Sequence, residues 1–311
     1  MWTMKKKYIE KIVVAVRNRT LLSMIKHALA RRWPIRFIKN KGILNLQTRD
    51  NLYRKYSKKY RNIIKGGDHT SAATDATFPK IIWWCWLQGY DQAPELAQCC
   101  YESLKQNIKG YDIKIVTFEN LPDYITLPDY IVKKFNNGII SATHYSDIIR
   151  LELLIQYGGI WIDSTVLCTD NEMCTVIENA PLFVYQILLS GGNSSLASNW
   201  LISSKPRSPV LKLTKDLLLE YWKHHNMLEH YYLFHSFFSM ALREYPEIWK
   251  QIPVYNNVSP QMLLRELTST YSDERYTTLK KFSSFHKLSY KLPYLPKGST
   301  FYEVLIRRRQ F

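Results

Sequence analysis

The chain is poor in the features that would assign it quickly. Its five cysteines, Cys85, Cys99, Cys100, Cys168 and Cys174, are odd in number and form no C-x-x-C pair. That argues against a disulfide framework and for reduced, mostly buried thiols in a cytosolic protein. Near the N-terminus no apolar run exceeds Ile12–Val16, so neither a signal peptide nor a membrane span is expected. GxxxxGK[ST], GxGxxG, HExxH and GxSxG are all missing, which removes the usual phosphate-loop, dinucleotide, zinc-peptidase and esterase readings. Acidic side chains are scarce at one end: residues 1–66 carry 19 Lys and Arg against only Glu10 and Asp50. The rest of the chain is balanced, with 24 basic and 24 acidic residues, so the whole net charge of +17 sits in an N-terminal arm.

Two kinds of partner suit such an arm: an anionic lipid surface or a nucleic acid. Ile9, Ile12, Val13, Val16, Met24, Ile25 and Leu29 recur at helical spacing, with Lys5, Lys6, Lys7, Lys11, Arg17, Arg19 and Lys26 between them. A basic amphipathic helix of this kind lies on anionic membranes, or packs on the body with its charged face solvated. RKYSKKYRNIIK (54–65) adds a second basic stretch with interleaved tyrosines. The small, polar run at 67–78 reads as a linker, which separates an arm at 1–66 from a domain at 79–311.

From Phe78-Pro79 onward the pattern alternates. KIIWWCW (80–86) has the aromatic and branched content of a strand, and Pro94 opens a helix that runs to about Ile108. YDIKIVTF (111–118) alternates as a strand does, and Pro128 starts a helix that stops at Asn136-Asn137-Gly138. A helix at 142–157 and a strand at 159–163 follow. This is the order of an α/β, Rossmann-like sheet.

In ATHYSDIIRLELLIQY (142–157), Glu152 and Gln156 mark a narrow solvent side at about 100° per residue. Asp147 and Arg150 fall on the opposite side, either as a structural ion pair or as groups pointing into a ligand site. The next stretch, YGGIWIDSTV (157–166), ends an apolar strand on Asp163. A carboxylate there is costly unless something pairs with it. Ligands of open α/β sheets bind beyond the carboxyl ends of strands, where Asp163 stands.

Taken together, SATHYSDIIRLELLIQYGGIWIDSTV (141–166) resembles the A-x-x-SD-x-x-R…GG-x-[YW]-x-D-x-D core of glycosyltransferase family 32 and related sugar-transferring toxins. It is closer still to the bacterial capsular polysaccharide synthesis proteins of that clan. FPKIIWWCWLQGYDQAP (78–94) and SNWLISSKPRSP (198–209) extend the resemblance, which covers roughly residues 78–240, more weakly to 295, and leaves the arm unexplained. It implies a GT-A fold that binds a nucleotide-sugar donor, with a divalent metal, Mn or Mg, on the diphosphate. On that basis Asp147 and Arg150 hold nucleoside and sugar, and Asp163 is the first Asp of the DxD and a metal ligand. Trp86, Gln88 and Gly89 line the base pocket, Gly158 and Gly159 belong to the donor site and turn the chain from helix to strand, and Asn199 contacts the sugar.

This sequence departs from the family pattern at the second Asp, which is Thr165. One carboxylate is a thin shell for a hard divalent cation, so either substrate and water supply most of the ligands, or another residue completes the shell, or no metal is needed. FHKLSYK (285–291) supplies a candidate replacement, by its likeness to the C-terminal histidine and lysine of other retaining GT-A enzymes: His286 on the metal, Lys287 or Lys291 on the diphosphate. His235, within YYLFHSFF, reads rather as a core histidine. The expectation is therefore a retaining glycosyltransferase on the inner face of the plasma membrane, held there by residues 1–66. It acts on a saccharide or lipid-linked saccharide acceptor of a surface polysaccharide. A nucleic-acid-binding protein is the disfavoured alternative, because the body is neutral and shows no nucleic-acid module. A catalytically inactive family member that organises a synthesis complex is the other.

Overall fold

The computed structural model of the chain describes residues 41–66, 77–187, 194–292 and 298–311, with the isolated helical positions Ile12, Leu22 and Ile25. The amphipathic helix expected in the first thirty residues, and nearly all of the expected linker, lie outside the described residues.

A five-stranded sheet forms the centre, in the order β2-β1-β3-β6-β5. Strands β1 (Ile81–Cys85), β2 (Asp112–Val116) and β3 (Gly159–Ile162) are parallel, and β6 (Ala197–Ser204) and β5 (Leu182–Gln186) continue the sheet antiparallel. Strand β3 is buried along its whole length, which explains its unbroken apolar run: a central strand has no solvent face. Alternate side chains then divide between two cores. Trp83, Trp161, Val184 and Ile202 meet α5 (Ala142–Tyr157), α7 (Pro209–His224) and α8 (Leu233–Glu244). Ile82, Trp84, Ile160, Ile162 and Phe183 meet α3 (Glu95–Asn107) and α6 (Glu172–Asn179) on the other face. The fold is α/β and Rossmann-like, as expected, although its second half runs antiparallel.

A separate pair of strands controls the site. β4 (Val166–Cys168) pairs antiparallel with β7 (Phe285–Lys287), setting Val166 opposite Lys287 and Leu167 opposite His286. The C-terminal segment is thereby laid against the turn that follows β3.

The domain boundary expected at residue 66 requires correction. Helices α1 (Lys41–Lys59) and α2 (Arg61–Lys65) are part of the α/β body, because Tyr56, Tyr60 and Ile64 are buried in its larger core. The Tyr56 ring stacks on Tyr60 at 5.3 Å and meets Tyr221 and Phe237 edge-on, each at 5.6 Å. Lys55 and Lys65 reach Glu229 and Glu244 at 2.9 and 2.8 Å. The interleaved tyrosines of RKYSKKYR are thus the inward stripe of a helix, and its lysines the outward one. A sequence that reads as a basic patch is half core.

Candidate active site

Asp163 follows the last residue of β3, and its backbone N–H donates to the Trp200 carbonyl at 2.8 Å, extending the sheet by one bond. The chain then turns through Ser164 and Thr165, and the Val166 N–H donates back to the Asp163 carbonyl at 3.1 Å. The carboxylate is gripped from three directions. Trp161 Nε1 donates to Oδ1 at 3.0 Å, Arg150 Nη2 stands 3.4 Å from the same oxygen, and Lys287 Nζ donates to Oδ2 at 3.1 Å. Burial would raise its pKa, but Lys287 and Arg150 outweigh burial and hold it below the ordinary carboxylate value. Asp163 is therefore ionised at neutral pH.

Arg150 and Asp147 reach this place from one face of α5. Arg150 Nη2 lies 3.2 Å from Asp147 Oδ1, its Nη1 donates to the Asn199 carbonyl, and its guanidinium sits 4.8 Å from the centre of the Trp161 ring. Asn199 Nδ2 donates to Asp147 Oδ1 at 3.0 Å, and His144 Nδ1 lies 3.3 Å from Asp147 Oδ2. Burial drives the Asp147 pKa up, against the pull of Arg150 and His144, and drives the His144 pKa down. The buried Asp147 and the half-buried Asn199 thus form a bracket behind Arg150, and Arg150 is the member of the trio that lines a cavity.

That cavity, of about 590 Å³, lies beyond the carboxyl end of β3. Among the described residues, its charged lining is Arg150, Lys287 and Lys291 against Asp163, an excess of positive charge suited to an anionic ligand. Trp86 and Gln88 also line it, as do Ser164 and Thr165. So do Tyr231, Gln261 and Tyr290, which the sequence reading missed. Two of these are exposed aromatics, with Tyr290 set edge-on to Trp86 at 6.1 Å. No periodic pattern marks such residues, since Tyr231 and Tyr290 belong to loops and Gln261 to a single 3-10 turn. Cys85 is the cavity's thiol, and burial pushes its pKa up to about 12, so it offers no thiolate.

Several expected site residues stand elsewhere. Gly158 and Gly159 open β3, at the opposite end from Asp163 and away from the cavity. Their φ angles of 69° and 92° are the left-handed kind that favours glycine, and a Cβ on Gly159 would come within 2.5 Å of the Ile81 carbonyl oxygen. They serve the helix-to-strand turn and the β1–β3 approach, not the donor. Gly89, at φ 92°, shapes the loop after β1 and does not line the cavity. Asn199 acts on Asp147 from behind, as described above, and also lies off the lining.

His286 needs the same correction. It alternates with Lys287 along β7, so the ring points to the far side of the strand and is fully buried there. Burial pushes its pKa down to about 4, and the charges it senses are Asp170 and Lys280 rather than Asp163. His235 is also held neutral, at about 3, by burial and then by Arg150. The residues that do surround Asp163 make a poor cage for a divalent cation. Among the described residues no three His, Cys, Asp or Glu side chains are grouped to hold one, and the Lys287 ammonium already donates to Thr165 Oγ1 at 2.6 Å.

A family model described as capsular polysaccharide synthesis protein matches residues 32–305, nearly the whole described body. The chain belongs to that family. The match begins upstream of α1, in keeping with the packing of 41–65 into the core of this capsular polysaccharide synthesis protein. Among solved structures, the PaToxG glycosyltransferase is similar at 16% identity and a TM-score of 0.38, over 66% of this chain and 80% of that one. No curated protein matches.

Proposed function

We propose that this capsular polysaccharide synthesis protein is a glycosyltransferase that takes a sugar from a nucleoside-diphosphate donor bound in the cavity beyond β3. The observation that carries the reading is the convergence of Asp163, Arg150 and Lys287 on one open, net-positive site, with aromatic side chains beside it. A diphosphate fits the cations, a base fits against Trp86 and Tyr290, and ribose or sugar hydroxyls donate to Asp163. About a quarter of the Asp163 and Lys287 side chains remains exposed, so both are open to a ligand.

The chemistry follows from what the residues are free to do. Asp163 is engaged by three donors and is a weak nucleophile and a weak base. Transfer with retention then proceeds on one face of the sugar. The acceptor oxygen bonds to the anomeric carbon as the bond to the diphosphate oxygen breaks with its electron pair. The acceptor proton passes to that departing oxygen. The protein's share is positioning and charge stabilisation. The acceptor in this reading is a growing surface polysaccharide, carried on lipid. The basic segment ahead of α1 brings the enzyme to the anionic leaflet, and Ile12, Leu22 and Ile25 are helical and exposed there. Among the described residues no helix is long and apolar enough to cross a membrane.

The test is Asp163→Asn, which keeps shape and removes charge. Hydrolysis or transfer from the nucleotide sugar that the wild type accepts should fall by about 10²–10³-fold, the scale of losing one preorganised electrostatic contact. An unchanged rate in a folded Asp163→Asn protein sinks the proposed site.

A further inference from the structure

The departure at Thr165 and the position of Lys287 are two halves of one arrangement. In a D-x-D turn two carboxylates flank one residue and share a divalent cation between them. Here the flanking side chains are Asp163 and Thr165, and a cation already lies between them. It is the Lys287 ammonium, 3.1 Å from Asp163 Oδ2 and 2.6 Å from Thr165 Oγ1. The pairing of β4 with β7 fixes it there, since the Leu288 N–H donates to the Thr165 carbonyl at 2.8 Å and Lys287 stands opposite Val166. Charge is matched as well. One ammonium against one carboxylate is neutral, whereas a second carboxylate at 165 would call for a doubly charged ion. A divalent cation at this position would stand within contact distance of the ammonium and find one anionic ligand.

We propose that Lys287 is the built-in cation of this site, and that the protein binds the diphosphate of its donor without a divalent metal. The inference rests on the glycosyltransferase reading above and deepens it. In the transfer step the electron pair of the broken carbon–oxygen bond moves onto the diphosphate. Lys287 stabilises that charge by proximity and keeps all its protons. Arg150 stands on the other side of Asp163, and Lys291, in the same segment as Lys287, adds charge at the cavity wall. Thr165 is then a positioning residue: its hydroxyl accepts from the ammonium and aims it.

Three measurements on the 311-residue chain test this. Manganese alone, followed by the electron paramagnetic resonance signal of the free ion, should remain unbound by the wild type. The double variant Thr165→Asp with Lys287→Ala rebuilds two carboxylates without the ammonium, and should take up manganese. Inorganic pyrophosphate, titrated calorimetrically in EDTA, should bind the wild type and Lys287→Arg. It should bind Lys287→Met at least about tenfold more weakly, the loss of one charge-assisted contact. Melting curves confirm that each variant is folded. Tight manganese binding by the wild type, or pyrophosphate binding that requires manganese, overturns the proposal, and so does unchanged affinity in Lys287→Met. A panel of nucleotide sugars, assayed with EDTA and with manganese, separates the two readings. Turnover only with manganese removes the Lys287 assignment and leaves the transferase. Metal-free pyrophosphate binding through Lys287, with no nucleotide sugar bound or cleaved, supports the cation site and removes the transferase.

Discussion

Replacing Tyr56 by Ala should damage the whole protein, although Tyr56 lies in a segment that reads as a detachable arm. Its ring is wholly buried and contacts Tyr60, Tyr221 and Phe237 at centroid distances of 5.3, 5.6 and 5.6 Å. Truncating a buried aromatic to Ala costs about 3–5 kcal/mol, as transfer free energy plus the cavity left behind. In a body of this size each kcal/mol lowers the melting temperature by about 2–4 °C, so a fall of about 10 °C is expected. Removing residues 1–66 takes away Tyr56, Tyr60 and Ile64 together, at about 1.5–3 kcal/mol of burial for each side chain. That approaches the stability of a typical domain, about 5–15 kcal/mol. The ion pairs of Lys55 and Lys65, half-exposed or more, add little. Circular dichroism melts of the full chain, Tyr56→Ala and the chain lacking 1–66 decide the matter. If Tyr56→Ala melts within about 2 °C of the wild type, or the truncated chain unfolds as cooperatively and as late as the full one, helices α1 and α2 are not part of the core.

Acid should destabilise the protein through its buried histidines. The folded-state values of His286 and His235, about 4 and 3, lie below the ordinary histidine value near 6.5, so the unfolded chain binds more protons once the pH drops below about 6.5. Stability is complete above that pH and is lost as the pH falls toward the folded values. His286 alone accounts for about 2 kcal/mol between about pH 7 and pH 5, so His286→Leu should flatten the fall in melting temperature over that range; an equally steep fall in the variant refutes the assignment. Asp163, whose folded value is depressed, gives the same sign at lower pH. For the membrane, deletion of residues 1–40 removes 11 of the 43 basic side chains while sparing α1 and α2, and should abolish sedimentation with anionic vesicles but not pyrophosphate binding. Continued sedimentation of that chain with the vesicles would show that the anchor lies elsewhere.

The sequence by itself determined the elements and their order. Proline starts, glycine and asparagine stops, and unbroken apolar runs are local signals, and they place α3, α4 (Asp129–Asn136), α5 and β3 within a residue or two of where they lie. It also determined that Asp147, Arg150 and Asp163 share one place, because α5 and β3 are joined by a two-glycine turn and cannot separate. Only the tertiary structure decided which of the three line the cavity: Arg150 and Asp163 do, and Asp147 does not. Asn199, from a strand 49 residues beyond Arg150, closes the bracket that sets Asp147 behind it. The structure likewise decided that Lys287 rather than His286 meets Asp163. The two are neighbours in sequence, and which one turns inward depends on the register of β7 against β4, a pairing between segments 122 residues apart that no local pattern encodes. The same holds for the tyrosines of α1. Their spacing marks a helix stripe, but whether that stripe meets water, a membrane or Phe237 depends on what folds over it.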